Sequence, residues 1–162
     1  MGVLGMLSVS DFAGFDAALA YVSDIASLNF CFASTDGHIG YALCGRVPLG
    51  RGERGNSLTG GSEWLPLCGW SGEHDYTGWL PHAQLPKVLD PPTGVIVSAN
   101  HKLVDYDTYP HYLGQCFKSG YRATAIHAVL EGAPGPGGLT MELMRAAQLD
   151  ERSFAAAEFA RL

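Results

Sequence analysis

Two runs of β-favouring residues around one tight turn constrain the fold of this chain more than any other feature. Residues 28–35 (LNFCFAST) and 38–47 (HIGYALCGRV) are rich in aromatic, β-branched and other apolar side chains. Between them stands Asp36-Gly37, a dipeptide that favours the two-residue turn of a hairpin because glycine adopts positive φ without strain. The sequence therefore predicts an antiparallel hairpin over residues 28–47.

Helical patterns lie on both sides of the predicted hairpin. One apolar stripe with the spacing of a helix face runs along residues 11–26, formed by Phe12, Phe15, Leu19 and Val22. Ser10 precedes this stripe and is the expected N-cap. Residues 120–131 and 140–161 are also predicted to be helices, the second with Thr140 as its N-cap.

The middle of the chain combines irregular segments with one strongly apolar run. Residues 48–94 are rich in glycine, tryptophan and proline, which predicts loops and short strands. Residues 95–99 (VIVSA) are almost continuously apolar, which predicts a strand buried on both faces. Helices combined with antiparallel strands, in a chain of 162 residues, indicate an α+β domain.

Charge and composition exclude several classes of partner. The formal net charge is -6, and the 10 Lys and Arg residues are scattered, whereas nucleic-acid binding depends on clustered basic residues. No segment approaches the ~20 apolar residues of a membrane span. The start of the chain lacks the basic and apolar regions of a signal peptide, and localisation stays open. Ordinary thiols without zinc-ligand spacing are expected at Cys31, Cys44, Cys68 and Cys116.

A loop rich in tyrosine and aspartate offers the best candidate metal ligands. His101 and His111 flank this loop, and Asp105 and Asp107 lie within it. The spacing matches neither the calcium loop of an EF-hand nor a zinc motif, so a hydrated surface loop is the favoured interpretation. We therefore expect no metal ion or cofactor to be held by this chain alone.

Two polar side chains are the candidate site residues. Asn100 follows the predicted buried strand, where its amide could donate a hydrogen bond to a developing oxyanion; the alternative is an Asn that caps a turn through its own backbone. Arg122 lies in the first turn of a predicted helix, where the helix dipole disfavours a cation, and such a placement indicates a specific partner. The alternative for Arg122 is an ordinary surface arginine.

The order of the motifs resembles the penicillin acylase (penicillin amidase) family. The hairpin segment with its ASTDGHIGY core comes first, followed by LPLCGWSGEHDYTGWLP and by LPKVLDPPTGVIVSAN, which ends at Asn100. Next come DTYPHYLG and GYRATAIHAVLE, which contains Arg122, and then AAQLDERSFAAAE near the end. The resemblance runs from about Phe12 to the last residue. It implies a partial αββα sandwich of the N-terminal-nucleophile hydrolases, with antiparallel strands and flanking helices.

The resemblance also implies chemistry for the two candidates. Family members expose an N-terminal serine by self-cleavage, and this serine attacks an amide carbonyl with its own amino group as the base. Asn100 stands at the family's oxyanion-stabilising asparagine, and Arg122 at the arginine that supports it. The family often has a second asparagine where this chain has His101.

The resemblance implies that other parts of the enzyme lie outside this sequence. No residue here matches the family's nucleophile, and most ligands of its structural calcium are missing too. We therefore expect an internal piece of the large-subunit region, inactive alone and completed by the rest of the enzyme. Its substrate is then a small-molecule amide, such as an acylated β-lactam or an acyl-homoserine lactone. The alternative is a non-catalytic binding or interaction module derived from the same fold.

Overall fold

A computed structural model describes most of the chain. The described residues are 2–22, 24, 27–49, 68–72, 75–114, 116–133 and 138–161. Their contacts divide the chain into two compact units, the first formed by residues 1–96 and 103–116 and the second by residues 97–102 and 117–162. Most of the predicted Gly-rich loop at 48–63 and much of the GAPGPGG break lie outside the described residues.

The first unit contains two short helices and two antiparallel sheets. In chain order its elements are α1 (Gly2–Met6), α2 (Phe12–Leu19), β1 (Leu28–Ala33), β2 (Ile39–Cys44), β3 (Pro48–Leu49), β4 (Gly78–Trp79) and β5 (Lys87–Leu89). The larger sheet has the order β1-β2-β5, and β3 pairs with β4. The predicted hairpin is confirmed, since β1 and β2 are antiparallel neighbours and Gly37 adopts a φ of 97° in the turn.

Helix α2 starts at its predicted place but with a different cap. The side chain of Asp11, not of Ser10, accepts a hydrogen bond from the backbone N–H of Gly14, at 2.7 Å. The regular helix ends at Leu19 rather than near residue 26, because the N–H groups of Tyr21 and Val22 bond three residues back and tighten the chain into turns. These turns keep Val22 buried, which explains why the apolar stripe extends beyond the helix.

Strand β2 is buried on both of its faces. Ala42 and Cys44 belong to a cluster completed by Phe15 and Leu19 of α2 and by Val22 of the turns after it, with the aromatic rings of β1 packed against it. On the opposite face, Tyr41 and Leu43 pack with Leu80 and Leu85. Alternate residues of one strand therefore join two different hydrophobic clusters, as the period-two geometry of a strand requires.

The predicted strand at residues 95–99 is wrong. The segment has no ladder pairing in the structure, although Ile96 packs against the cluster around Leu80 and Ala99 is buried. An apolar run can supply burial, but a strand also needs a neighbour that accepts and donates its backbone hydrogen bonds. The strand with two buried faces is β2, whose sequence is equally apolar but has β1 and β5 beside it.

The second unit is helical, with α3 (Tyr121–Glu131), α4 (Met141–Gln148) and α5 (Phe154–Phe159). Helix α3 lies where it is predicted, and the side chain of Thr140 caps α4 as expected. The single helix predicted over 140–161 is wrong because the chain breaks between α4 and α5. There Asp150 accepts a hydrogen bond from the backbone N–H of Arg152, at 2.9 Å, and the side chain of Ser153 caps a new helix.

Helices and antiparallel strands together confirm the predicted α+β class. Among the described residues, no helix has the length and apolar character needed to cross a membrane.

The close approach of Gly40 and Phe12 gives a test of this packing. A Cβ atom at Gly40 would lie 2.4 Å from the ring of Phe12, which is itself packed against Phe15 and Phe32. We expect Gly40→Ala to lower the free energy of unfolding by about 1–3 kcal/mol, because the ring has little room to move. Urea unfolding followed by circular dichroism measures the change.

Gly78→Ala is the matched control, since Gly78 is also a strand glycine but a Cβ there meets nothing within 4 Å. Equal unfolding midpoints for the two variants would contradict the packing described for β2 and α2.

Candidate functional site

Asn100 stands in an unusual backbone conformation at the end of the segment that follows β5. Its φ is 57°, in the left-handed region that few residues other than glycine, asparagine and aspartate occupy. The preceding Ala99 is buried, whereas Asn100 is exposed. The Asn100 carbonyl accepts a hydrogen bond from the backbone N–H of Lys118, at 2.7 Å. This bond fixes the turn that presents the asparagine side chain.

Arg122 lies beside Asn100 and hydrogen-bonds to it. Its Nη2 donates to the side-chain oxygen Oδ1 of Asn100, at 2.6 Å, and to the carbonyl of Ala99, also at 2.6 Å. Two oxygen acceptors offset the unfavourable position of a cation in the first turn of α3. The structure therefore brings the two candidate residues together within one unit.

The guanidinium also determines which way the Asn100 amide points. Arginine offers only hydrogen-bond donors, so the atom of Asn100 that faces Nη2 must be its oxygen. The Nδ2 amino group is then directed elsewhere, and within the described part of the chain it has no acceptor. The arrangement presents a neutral N–H donor whose orientation is held by a charged neighbour.

The candidate metal ligands have surroundings of their own. Asp105 accepts a hydrogen bond from the backbone N–H of Asp107, at 3.0 Å, so this part of the loop bonds to itself. The ring of His111 packs edge-on against Tyr109. His101, next to Asn100, has a buried Nδ1 without a partner among the described residues. No group of three or more His, Cys, Asp or Glu that could hold a metal ion occurs in the described ranges.

The sequence did not predict one half-buried ionic cluster. Asp16 of α2 binds Nε2 of His82 through one carboxylate oxygen, at 2.9 Å, and Nζ of Lys87 through the other, at 2.6 Å. The three side chains are only 20–25% exposed. The partners lie 66 and 71 residues from Asp16, so no local spacing could have indicated the cluster. Its geometry fastens α2 to β5 within the first unit.

Comparison with known proteins shows the class to which this chain belongs. The pattern that defines the penicillin amidase family matches residues 1–162. The chain therefore belongs to the penicillin amidase family.

Individual relatives within that family are similar over parts of the chain. Penicillin acylase 2 proenzyme of Pseudomonas sp. (strain SE83) is 41% identical over 106 residues, which cover 65% of this chain and 12% of that protein. The acyl-homoserine lactone acylase QuiP of Pseudomonas aeruginosa is 36% identical over 109 residues, or 65% of this chain and 11% of that protein. QuiP of Pseudomonas putida is 38% identical over 77 residues, which cover 48% of this chain and 8% of that protein.

A solved structure shows the same fold. A thermostable penicillin G acylase from Alcaligenes faecalis matches 96% of this chain and 23% of its own, with a TM-score of 0.57 and 16% identity. This likeness confirms the predicted fold class of the penicillin acylase type, with antiparallel strands and flanking helices. The matched region spans 8% to 12% of the curated relatives' lengths.

The positive φ of Asn100 gives a stability test that is independent of any activity. Asn100→Gly and Asn100→Ala both remove the bond to Arg122, but only alanine adds a Cβ that resists the left-handed conformation. We expect the alanine variant to be less stable than the glycine variant by about 1–2 kcal/mol. Urea unfolding of the two variants measures the difference, and a more stable alanine variant would contradict the conformation described for this turn.

Proposed function

We propose that this chain is part of an amidohydrolase that cleaves a linear amide bond and releases an acyl group from a small molecule. The observation that carries the proposal is the hydrogen bond from Arg122 Nη2 to Asn100 Oδ1. It supports the proposal because it leaves the Asn100 Nδ2 group as a neutral donor of fixed orientation. Such a donor is what a developing oxyanion requires.

The proposed role of Asn100 is electrostatic. When a nucleophile attacks the amide carbonyl carbon, the π electrons move to the carbonyl oxygen, which becomes negatively charged. The Nδ2 group of Asn100 donates a hydrogen bond to that oxygen, and a single donor of this kind contributes about 3–4 kcal/mol to the transition state. Collapse of the tetrahedral intermediate then restores the carbonyl, breaks the C–N bond and expels the amine, which takes up the proton that the nucleophile gave to its base.

The proposed role of Arg122 is to position Asn100. An unrestrained asparagine amide rotates between two orientations, of which one would point oxygen at the oxyanion and repel it. The guanidinium offers only donors, so it holds the oxygen of Asn100 and leaves the Nδ2 group free to face the oxyanion. The second bond, to the carbonyl of Ala99, supports this role because it fixes the guanidinium relative to the backbone that carries Asn100.

We further propose that the remaining catalytic groups lie outside these 162 residues. They are the N-terminal nucleophile with its amino-group base, the backbone amide that completes the oxyanion hole and most ligands of the family's structural calcium. The short span of the match, at most 12% of a curated relative, supports this division of the site. This chain then contributes the residues on one side of an active site that stabilise the oxyanion.

The names of the relatives guide the proposed substrate class. One relative is a penicillin acylase and two are acyl-homoserine lactone acylases. Penicillins and acyl-homoserine lactones share an acyl group on an amide nitrogen next to a small ring. We propose a substrate of this class, a β-lactam or a homoserine lactone that carries an acyl side chain.

A non-catalytic binding module is the second candidate function. It is favoured by the two hydrophobic clusters of the first unit, which are built entirely from residues of that unit. An independent module should unfold cooperatively as a monomer, whereas a piece of a larger enzyme should be polydisperse and bind a hydrophobic dye. Light scattering with dye fluorescence separates the two candidates.

The missing nucleophile gives a direct prediction for the isolated chain. We expect the purified 162-residue protein to release no chromophore from a phenylacetyl amide of a nitroaniline, because Asn100 can stabilise an oxyanion but cannot form one. A penicillin acylase assayed in parallel verifies the substrate. Turnover by the chain above the spontaneous rate would contradict the absence of a nucleophile.

The oxyanion role is tested in a complete enzyme that contains this segment. We expect Asn100→Ala to lower kcat by about 10²–10³-fold with a smaller effect on KM, since the donor acts in the transition state. Arg122→Ala should also lower kcat, because the amide of Asn100 would lose the bond that orients it. His127→Asn, a change on α3 outside the Asn100–Arg122 pair, is the control and should retain activity. An unchanged kcat in Asn100→Ala would exclude the proposed role.

A further inference from the structure

A second histidine–aspartate pair in the first unit connects the hairpin turn to the edge strand of the sheet. The Nδ1 atom of His38, just before β2, lies 2.6 Å from Oδ2 of Asp90, just after β5. The other oxygen of Asp90 accepts a hydrogen bond from the backbone N–H of Ile39, at 3.0 Å. One carboxylate therefore binds both a side chain and the backbone of the neighbouring strand.

The backbone of Asp90 is constrained at the same point. Its φ is 49°, in the left-handed region, and its N–H donates to the carbonyl of Ile39, at 2.8 Å. Strand β5 has only three residues, and its far end is fastened by the pair of Lys87 with Asp16. The bonds of Asp90 hold the near end, where the ladder with β2 stops.

Two carboxylates face the His38 imidazole. Asp90 is the nearer, and Asp36 of the hairpin turn lies 4.0 Å from the other ring nitrogen. Asp36 itself accepts a hydrogen bond from the Ser34 hydroxyl. Among the described residues these are the charged groups that act on His38. A protonated imidazole at this place has a negative neighbour beside each ring nitrogen.

We propose that His38 and Asp90 form a protonation-controlled latch that fastens the β1–β2 turn to the end of β5. With His38 protonated, the imidazolium and the Asp90 carboxylate form an ion pair and the latch is closed. Loss of that proton leaves a neutral imidazole that can still donate through Nδ1 but without the ionic attraction, so the latch loosens. The latch lies outside the proposed catalytic pair and does not depend on its role.

The pKa shifts of His38 and Asp90 define the pH range in which the latch is closed. The hydrogen bond and the charge of Asp90, with Asp36 behind it, raise the pKa of His38 above its ordinary value of 6.5. The hydrogen bonds from Ile39 and His38 lower the pKa of Asp90 below 3.8. The stability that His38 contributes is fully present below pH 6.5 and is lost as the pH rises through its raised pKa. The stability that Asp90 contributes is fully present above pH 3.8 and is lost as the pH falls through its lowered pKa. The latch is therefore closed at pH values between the lowered pKa of Asp90 and the raised pKa of His38.

The titration of His38 in the 162-residue chain tests the latch directly. The His38 imidazole signal is followed by NMR from pH 4 to 9 in the wild-type chain and in Asp90→Asn. Asparagine keeps the tolerance for the left-handed backbone and removes the charge. We expect the His38 midpoint to move down in Asp90→Asn. In the control Asp105→Asn, which changes an aspartate that does not face His38, the midpoint should stay in place.

Hydrogen exchange at the Asp90 N–H gives the second measurement. After correction for intrinsic rates, exchange in the wild-type chain should accelerate as pH rises through the His38 midpoint. In His38→Gln, which keeps a polar side chain but cannot titrate, that acceleration should disappear. The latch is excluded if His38 has the same midpoint in wild type and Asp90→Asn, or if His38→Gln retains the pH-dependent acceleration. These outcomes leave the proposed amidohydrolase function untouched, since neither residue belongs to the Asn100–Arg122 pair.

Discussion

The burial of β2 on both faces is the constraint on which the first unit depends. Because neither face of β2 meets water, its side chains must pack against neighbours on one face or the other. Ala42 and Cys44 are completely buried beneath α2, whereas Tyr41 and Leu43 face the cluster that contains Leu80. A shift of one residue in the pairing with β1 would turn each of these side chains to the opposite face of the sheet and disrupt both hydrophobic clusters. The register of the hairpin is therefore specified by packing as well as by its turn.

The second unit depends on a polar arrangement instead. Its key feature is an asparagine in a left-handed conformation, held by a backbone bond to Lys118 and by the guanidinium of Arg122. A strained residue persists only where its surroundings hold it, and such residues are concentrated at functional sites. The strain alone does not identify a function. Combined with membership of the penicillin amidase family, it supports the role proposed for Asn100.

The sequence predicted the elements whose signals are local. The hairpin follows from its turn dipeptide, and α3 follows from a helical segment that begins after Gly120 and ends at Gly132. The strand at residues 95–99 failed because pairing depends on a distant neighbour, which hydrophobicity cannot reveal. The break between α4 and α5 was missed because the side chains of Asp150 and Ser153 compete with the helix for backbone N–H groups.

Asn100 and Arg122 were found through motif order, and their spacing of 22 residues gives no geometric hint of contact. The clusters around Asp16 and Asp90 join residues far apart in the chain, so only the folded structure could show them.

The two polar arrangements differ in how they respond to pH, and that difference has a consequence for the whole enzyme. An amide has no proton that titrates in water, so the Asn100 side chain is itself the same donor across the ordinary pH range. The His38–Asp90 pair changes its charge within that range, since His38 titrates above 6.5 and Asp90 below 3.8. The pH dependence that this pair brings to an enzyme would thus come from the attachment of β5, and it would affect stability rather than the strength of the oxyanion donor. Under the proposed function, the amino group of the nucleophile would add a separate titration from outside these residues. Substitution at His38 would remove only the contribution of the latch.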